Sequence, residues 1–326
     1  MRSGRATRAR NPNPASRISG DKPMISVEAV IVHYGPLDHT LAAIDALATT
    51  SGDVELGLTV VDNGGSREVS RCIEARLQNH GAAFPRGAQT AVSGTNEGYA
   101  GGLSVGIEHA ASRSPRPRHF LLLNNDVTVA TDTIDLLVAS VDGASDIGIV
   151  GPAVLFSEQD EDLVWNAGSD VEWPAARPRS RYHGSPSEDL PTFAYDVGYV
   201  AGCAMLLPSS TLERISPLPQ EYFLYFEDAD IGERVRRAGL RSVVVPTARV
   251  SHQPGSSVSA VPELARYYQV RNRILFSARW GGARVSVLIA RYWFASRKLL
   301  KGGSERQAAW DGLRGRWGRA SSTSAQ

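Results

Sequence analysis

Between residues 27 and 156 the chain alternates apolar, strand-like runs with segments of helical spacing, and this alternation restricts the fold more than any other feature. Strands are predicted at 27–34, 56–63, 89–94, 119–126 and 147–156. Helices are predicted between them at 37–48, 66–78, 99–112 and 131–141, the last with Thr131 as its cap. The strand runs are nearly continuous in apolar residues. Such runs suit a parallel sheet covered on both faces, and ligands of such sheets sit beyond the carboxyl ends of the strands. The expected class is α/β, with a mostly parallel central sheet flanked by helices.

Residues 157–195 interrupt the pattern with Pro, Arg and acids and read as an insertion or irregular hairpin region. The pattern resumes with a strand at 197–207, a helix from about Asp228 to Ala238 and a strand at 241–246. A helix over 261–280, with Pro262 near its start, and a second over 284–300 complete it. The length of 326 residues allows one large domain or two small ones. The expected division is a disordered basic arm at 1–23, a catalytic domain at 24–280 and basic amphipathic helices with a tail at 281–326. Met24 precedes the first strand, so the arm is expected to be dispensable.

A net charge of +1 conceals a strong asymmetry. Residues 23–278 hold 19 basic and 31 acidic groups, whereas 279–319 hold ten basic and two acidic. An acidic body excludes a nucleic-acid groove through the main domain. The C-terminal stretch interleaves Trp280, Tyr292, Trp293, Phe294 and Trp310 with arginines and lysines. It suits either an anionic membrane surface, or packing on the sheet or a dimer contact. Cys72 and Cys203 are the only cysteines, too few for a disulfide framework or a metal cluster. No run reaches membrane-spanning length. A cytoplasmic protein is expected, with peripheral contact at the inner face of the plasma membrane as the membrane alternative.

Acids stand at two strand ends, Asp62 in "VVDNGG" and Asp126 in "LLLNND", where each either meets a ligand or caps the following turn. "NEGYAGG" opens a helix with glycines that allow close backbone approach, or tight helix–strand packing. Its spacing matches neither a P-loop nor a dinucleotide fingerprint, which disfavours a nicotinamide dehydrogenase. The aromatic run Tyr222–Phe226 leads into Glu227, Asp228 and Asp230. Acids in a first helical turn favour the helix dipole, but desolvation by the aromatic run would also leave one of them basic enough to accept a proton. His252 follows, and with Asp126 it could hold a hard divalent ion while leaving positions open for phosphate oxygens.

In order, "VVDNGGS", "NEGYAGG", "LLLNNDV", "GYVAGCAMLL", "EYFLYFEDADIGERVRRAG", "PTARVSHQPGSS" and "YYQVRNRILF" resemble glycosyltransferase family 2 across residues 27–278. These are inverting enzymes with a Rossmann-like nucleotide-diphospho-sugar transferase fold, the A-type glycosyltransferase fold. The likeness is strongest to rhamnosyltransferase-like and galactofuranosyltransferase-like bacterial members of cell-surface glycan assembly. The resemblance implies a UDP- or dTDP-linked sugar donor, a glycan or lipid-linked acceptor, and Mg2+ or Mn2+. It makes Asp62 the acceptor of a uracil or thymine N3–H. Asn63, Asn96, Gly98, Gly101, Gly102 and Asn125 would line the nucleotide-sugar pocket. Asp126, last acid of the family's metal motif, and His252 would be metal ligands. Asp228 would be the general base, and Glu227 would position the acceptor or the base. His33-Tyr34, Leu103-Ser104 and Pro208 depart from the family's usual residues, which leaves a catalytically degenerate nucleotide-sugar-binding subunit as the alternative.

Overall fold

A computed structural model describes residues 24–50, 52–156, 162–252, 262–282, 284, 285, 287, 289 and 303–320. The basic arm and most of the helix expected over 284–300 lie outside these residues.

The sequence alternation becomes β1 (Ile25–His33), α1 (Leu37–Ala48), β2 (Val54–Asp62), α2 (Arg67–Asn79), β3 (Ala88–Val92), α3 (Gly98–Ala111) and β4 (His119–Asn124). Then come β5 (Val127–Val129), α4 (Thr133–Val141) and β6 (Ile147–Phe156). Helix α4 begins two residues beyond the expected cap. Asp132 holds the N-cap position without a side-chain bond, and the Thr133 hydroxyl donates to Arg249 O at 2.6 Å. The interruption holds β7 (Val164–Asn166) and the hairpin of β8 (Ser169–Glu172) and β9 (Arg177–Ser180). The chain continues as β10 (Tyr195–Val197), β11 (Ala204–Pro208), α5 (Ser209–Ile215), α6 (Glu227–Arg237) and β12 (Arg241–His252). It closes with α7 (Pro262–Phe276) and α8 (Gly303–Leu313).

The sheet order is β10-β12-β6-β11-β4-β1-β2-β3, with β5 added to β12 and β7 to β6. Strands β3, β2, β1, β4, β6 and β12 all run one way, with β11 antiparallel between β4 and β6. The apolar runs have the expected cause. Along β1, Val27, Ala29 and Ile31 pack with α1, α2 and α4, while Val30 and Val32 face α3 and the α5–α6 side. Both faces are covered, so both sets of alternate residues are largely apolar, and the buried exception, Glu28, is paired with Thr59 and Arg113.

Two strand predictions change. The run expected over 197–207 is split, because β10 pairs with β12 at the sheet edge while β11 lies further in, with β12 and β6 between the two. Residues 198–203 must carry the chain across that gap and cannot stay extended in one ladder. The strand expected to stop at Pro246 instead continues to His252. Its pairing with β6 slips between Val245 and Arg249, around the proline that has no N–H to donate.

The helix expected over 261–280 is α-helical only to Phe276. A π-helical turn over Ser277–Gly281 ends it. Helix α8 packs on α7, burying Ala308 and Ala309 with Tyr267, Ile274 and Phe276. In the C-terminal stretch, these described residues therefore belong to the same packed body as α7. Among the described residues no helix is long and apolar enough to cross a membrane.

Candidate active site

The carboxyl ends of the parallel strands form one side of the molecule, and the continuation of β12 delivers a histidine there. Val127 of β5 pairs with His252, so Asp126 sits beside the imidazole, with His252 Nε2 3.2 Å from Asp126 Oδ1. Both side chains are buried, and Trp165 packs edge-on against the histidine at 4.6 Å. Two donors this far apart match neighbouring corners of an octahedral ion, about 3 Å for bonds near 2.1 Å. No group of three or more His, Cys, Asp or Glu suited to a metal occurs among the described residues. Asp126 and His252, one carboxylate and one imidazole, are the residues that could hold a divalent ion, and two protein ligands would leave its other positions open.

Asp62 ends β2 opposite His33, and its carboxylate is buried. Oδ1 accepts from the Gly64 and Gly65 N–H groups at 3.0 and 3.1 Å, and Oδ2 from the Ser70 hydroxyl at 2.7 Å. Asp62 thus holds the glycine turn to the first turn of α2, as the capping alternative expects, and Oδ2 retains a lone pair. Asn63 reaches across to the next loop. Its amide donates to Asn96 Oδ1 and Gly98 O, and its own oxygen accepts from Glu97 N. Asn125 donates to Thr40 Oγ1 at 3.1 Å, and Thr40 also meets His33 Nδ1 at 2.7 Å. Burial lowers the His33 imidazole pKa, offset in part by the charge of Asp62.

The three predicted glycines divide by role. Gly98 has φ +74, and a Cβ there would overlap the Phe223 carbonyl. Tyr99 N donates to that same carbonyl at 3.1 Å. Gly98 therefore lets the donor-side loop close on the aromatic run. A Cβ on Gly102 would meet Val32, and one on Gly101 would meet Glu97. Those two glycines allow tight packing within the protein, and their predicted contact with a ligand gains no support from their surroundings.

Phe223, Tyr225 and Phe226 all have positive φ, at 66°, 66° and 75°. Left-handed backbone at bulky residues is costly and marks a segment held by its surroundings. The three acids that follow have separate fates. Asp230 is fully buried and accepts from Tyr222 Oη, Trp280 Nε1, Arg234 Nε and Arg279 Nη1 at 2.9, 2.7, 2.6 and 3.2 Å. It is a structural hub joining α6 to the π-helical turn. Asp228 is half-buried, accepting from Gly202 N at 3.2 Å and Ala229 N at 2.8 Å. Glu227 is buried, and its Oε2 has no hydrogen-bond partner among the described residues.

Burial, and then the adjacent Asp228 charge, push the Glu227 carboxyl up to about 8. Burial also raises Asp228, against the pull of backbone N–H groups. At neutral pH the pair therefore keeps a proton, held on the more enclosed Glu227, and leaves the more open Asp228 free to accept one. Asp126 and Asp228 share an environment. After burial, the charges of both raise the buried Cys203 thiol, and both also bear on the Tyr99 phenol. Tyr99 Oη donates to Gly202 O at 2.7 Å, tying α3 to the crossing loop. The structure thus brings Asp126, Glu227, Asp228 and His252 to one locality. Asp62 and Asn63 stand at the end of β2, which β1 separates from β4.

Residues 25–273 match the family described as "Glycosyltransferase like family 2". The chain belongs to glycosyltransferase family 2. It is similar to an N-acetylglucosaminyl-diphospho-decaprenol L-rhamnosyltransferase of Mycobacterium tuberculosis, with 36% identity over 66 residues, 20% of this chain and 22% of the relative. It is also similar to the galactofuranosyltransferase GlfT2 of the same species, 23% identical over 273 residues, covering 78% of this chain and 41% of that protein. The chain thus spans well under half of either curated relative. Among solved structures, GalNAc-T7 with UDP, GalNAc and Mn2+ superposes with a TM-score of 0.58 at 14% identity, over 89% of this chain and 58% of that one. That likeness establishes the fold, an A-type glycosyltransferase sheet.

For this family 2 member, the Glu227 proton gives a prediction about stability. The side chain ionises near 4.5 in an open chain and about 8 when folded. The folded state binds the extra proton between those values, so the associated stability is complete below pH 4.5 and disappears as pH rises through 8. Glu227→Gln has no proton to lose. Its Tm is expected to exceed wild type by roughly 3–6 °C at pH 9, for about 1–2 kcal/mol relieved, and the gain should shrink to nothing by pH 5. Melting curves across that range check it, and a difference independent of pH would contradict the buried proton.

Sequence reasoning did not single out Arg271 and Asn272, although both lie in the "YYQVRNRILF" stretch. They are almost fully buried beneath the aromatic run. The available signal was an amide and a guanidinium on the apolar face of a helix, which need partners once buried.

Proposed function

We propose that the chain is an inverting glycosyltransferase, dependent on a divalent metal, that moves a sugar from a nucleoside-diphosphate donor to a hydroxyl acceptor. The observation that carries the reading is the meeting, in a family 2 fold, of the Glu227–Asp228 pair with the Asp126–His252 pair. The donor's uracil or thymine base belongs beside Asp62, and its diphosphate beside Asp126 and His252. What Mg2+ or Mn2+ would supply there is positive charge opposite the departing diphosphate.

Asp228 takes the proton of the acceptor hydroxyl. That oxygen forms a bond to the anomeric carbon while the bond to the diphosphate breaks, and the nucleoside diphosphate leaves with the electron pair. Attack from the opposite side inverts the anomeric centre. Protonated Glu227 keeps a second negative charge away from the base, and the aromatic segment excludes water on that side. The names of the curated relatives support a rhamnose-like or galactofuranose donor sugar and, in the first, a lipid-linked acceptor; the sequence resemblance extends the reading to glycan acceptors in cell-surface polysaccharide synthesis. Exposed Trp310 and Leu313 on α8 provide surface for peripheral contact at the cytoplasmic face of the membrane.

Thermal shift with nucleoside diphosphates tests the donor side. UDP or dTDP with Mn2+ at about a hundred times its Kd should add roughly 2.7 kcal/mol. Asp126→Asn should remove the metal-dependent part of that gain. No shift with any nucleoside diphosphate would refute the donor assignment. A shift indifferent to metal in both proteins would refute the metal site.

A further inference from the structure

The segment that presents the carboxylate pair cannot hold itself. Residues 222–226 form neither strand nor α-helix, and three of their bulky side chains sit on left-handed backbone. Their carbonyls need donors from elsewhere. Tyr99 N serves Phe223 O. The others converge on one side chain: Asn272 Nδ2 lies 3.0, 2.6 and 2.9 Å from the carbonyl oxygens of Tyr222, Leu224 and Tyr225. Arg271 Nε donates to Asn272 Oδ1 at 2.9 Å, which fixes the amide with its N–H groups toward the loop.

Arg271 is fastened in turn. Nη2 donates to Tyr222 O at 2.9 Å and Nη1 to Gly318 O at 2.6 Å, while its guanidinium lies over the Tyr268 ring at 4.8 Å. Gly318 N donates to Glu221 O at 2.6 Å, and Trp317 stands edge-on to Tyr222 at 5.1 Å. Neither residue would be expected at a buried position inside a helix. Asn is a poor mid-helix residue, and a buried guanidinium costs free energy unless its donors are used. Here they are used on the backbone that enters Glu227.

We propose that Asn272, with Arg271 behind it, is a positioning residue for the transfer reaction: it holds the left-handed segment 222–226 and so sets where Glu227 and Asp228 stand. The proposal rests on the glycosyltransferase reading above. Neither residue touches the reacting atoms. Released from Asn272, the segment relaxes toward ordinary backbone angles and the base moves, while the loops after β1, β2 and β4 stay in place and Tyr99 N, which does not depend on Asn272, keeps Phe223 O against the Gly98 loop. The effect therefore belongs in the catalytic step and not in donor binding. A displacement near 1 Å at a reacting group costs about 10²-fold in rate.

The test measures kcat, donor KM and nucleoside-diphosphate affinity for Asn272→Ala, beside Leu137→Ala, a core deletion on α4 across the sheet. With assays run well below each Tm, Asn272→Ala should lose about 100-fold in kcat, with donor KM and nucleoside-diphosphate Kd within twofold of wild type. Leu137→Ala, although destabilised, should keep wild-type kcat. Should Asn272→Ala not fold, Arg271→Lys keeps the charge but loses the fork. It should lower kcat about 10-fold and speed hydrogen exchange at residues 223–226 without a change at 25–33. Near-normal kcat in the folded variant, or equal losses in kcat and donor affinity, would overturn the positioning role. That result is distinct from failure of the transferase reading, in which the wild-type protein transfers no sugar from any donor.

Discussion

Asp228→Asn is expected to lower sugar transfer by about 10³-fold in kcat while leaving nucleoside-diphosphate affinity within twofold of wild type. The substituted amide preserves the shape of the side chain and can still accept from one of the two backbone N–H groups, Ala229 N and Gly202 N, that hold the two carboxylate oxygens at 2.8 and 3.2 Å. Its capacity to take a proton is lost, together with one of those backbone hydrogen bonds. Asp228 is also the half-buried member of the pair, so an acceptor hydroxyl can reach it more readily than Glu227. The check is steady-state transfer, with calorimetry of nucleotide binding on the same preparation. Full activity in Asp228→Asn would remove the base assignment.

Asp230→Ala, two residues further on, is expected to leave the chemistry undirected and strike the fold. It removes the shared acceptor of a phenol, an indole and two guanidinium groups. Arg234 and Arg279 are largely enclosed, with side chains 19% and 28% exposed, so they would be left in place with little water to replace the lost carboxylate. Glu221, 3.8 Å from Arg234 and 2.5 Å from Arg279, softens the loss. The expected destabilisation is about 3–5 kcal/mol, or roughly 8–15 °C in Tm. A chemical denaturation midpoint checks it. A loss below about 1 kcal/mol would mean that Asp230 is no hub.

Two carboxylates separated by one residue thus carry opposite assignments, and the sequence alone did not separate them. Periodicity made the parallel strands and their helices legible, because two covered faces favour apolar residues along both sides of a strand. It also placed Asp62, Asp126 and Glu227 at element ends. It did not reveal that β10 and β11 are separate strands, since splitting them depends on which neighbours they pair with, a property of distant chain. Pro246 suggested a stop where the structure makes a bulge, because β6 can slip its register to accommodate a missing donor. Gly98 and Gly102 looked equivalent in "NEGYAGG". Only the Phe223 carbonyl above one and the Val32 side chain beneath the other distinguish them. The role of Arg271 and Asn272 is the least legible, since it depends on backbone angles some fifty residues earlier.

The bracing of Tyr222 by residues 317 and 318 bears on the order in which a growing chain gains its properties. Synthesis delivers β1 to β4, with the nucleotide end of the sheet, long before it delivers Trp317 and Gly318. The two halves of the reaction are therefore expected to mature at different times. On the proposed reading, a ribosome-bound chain would gain the base contact at Asp62 early and the diphosphate contact only with His252, and the proton-accepting end would fall into place only when Trp317 and Gly318 dock.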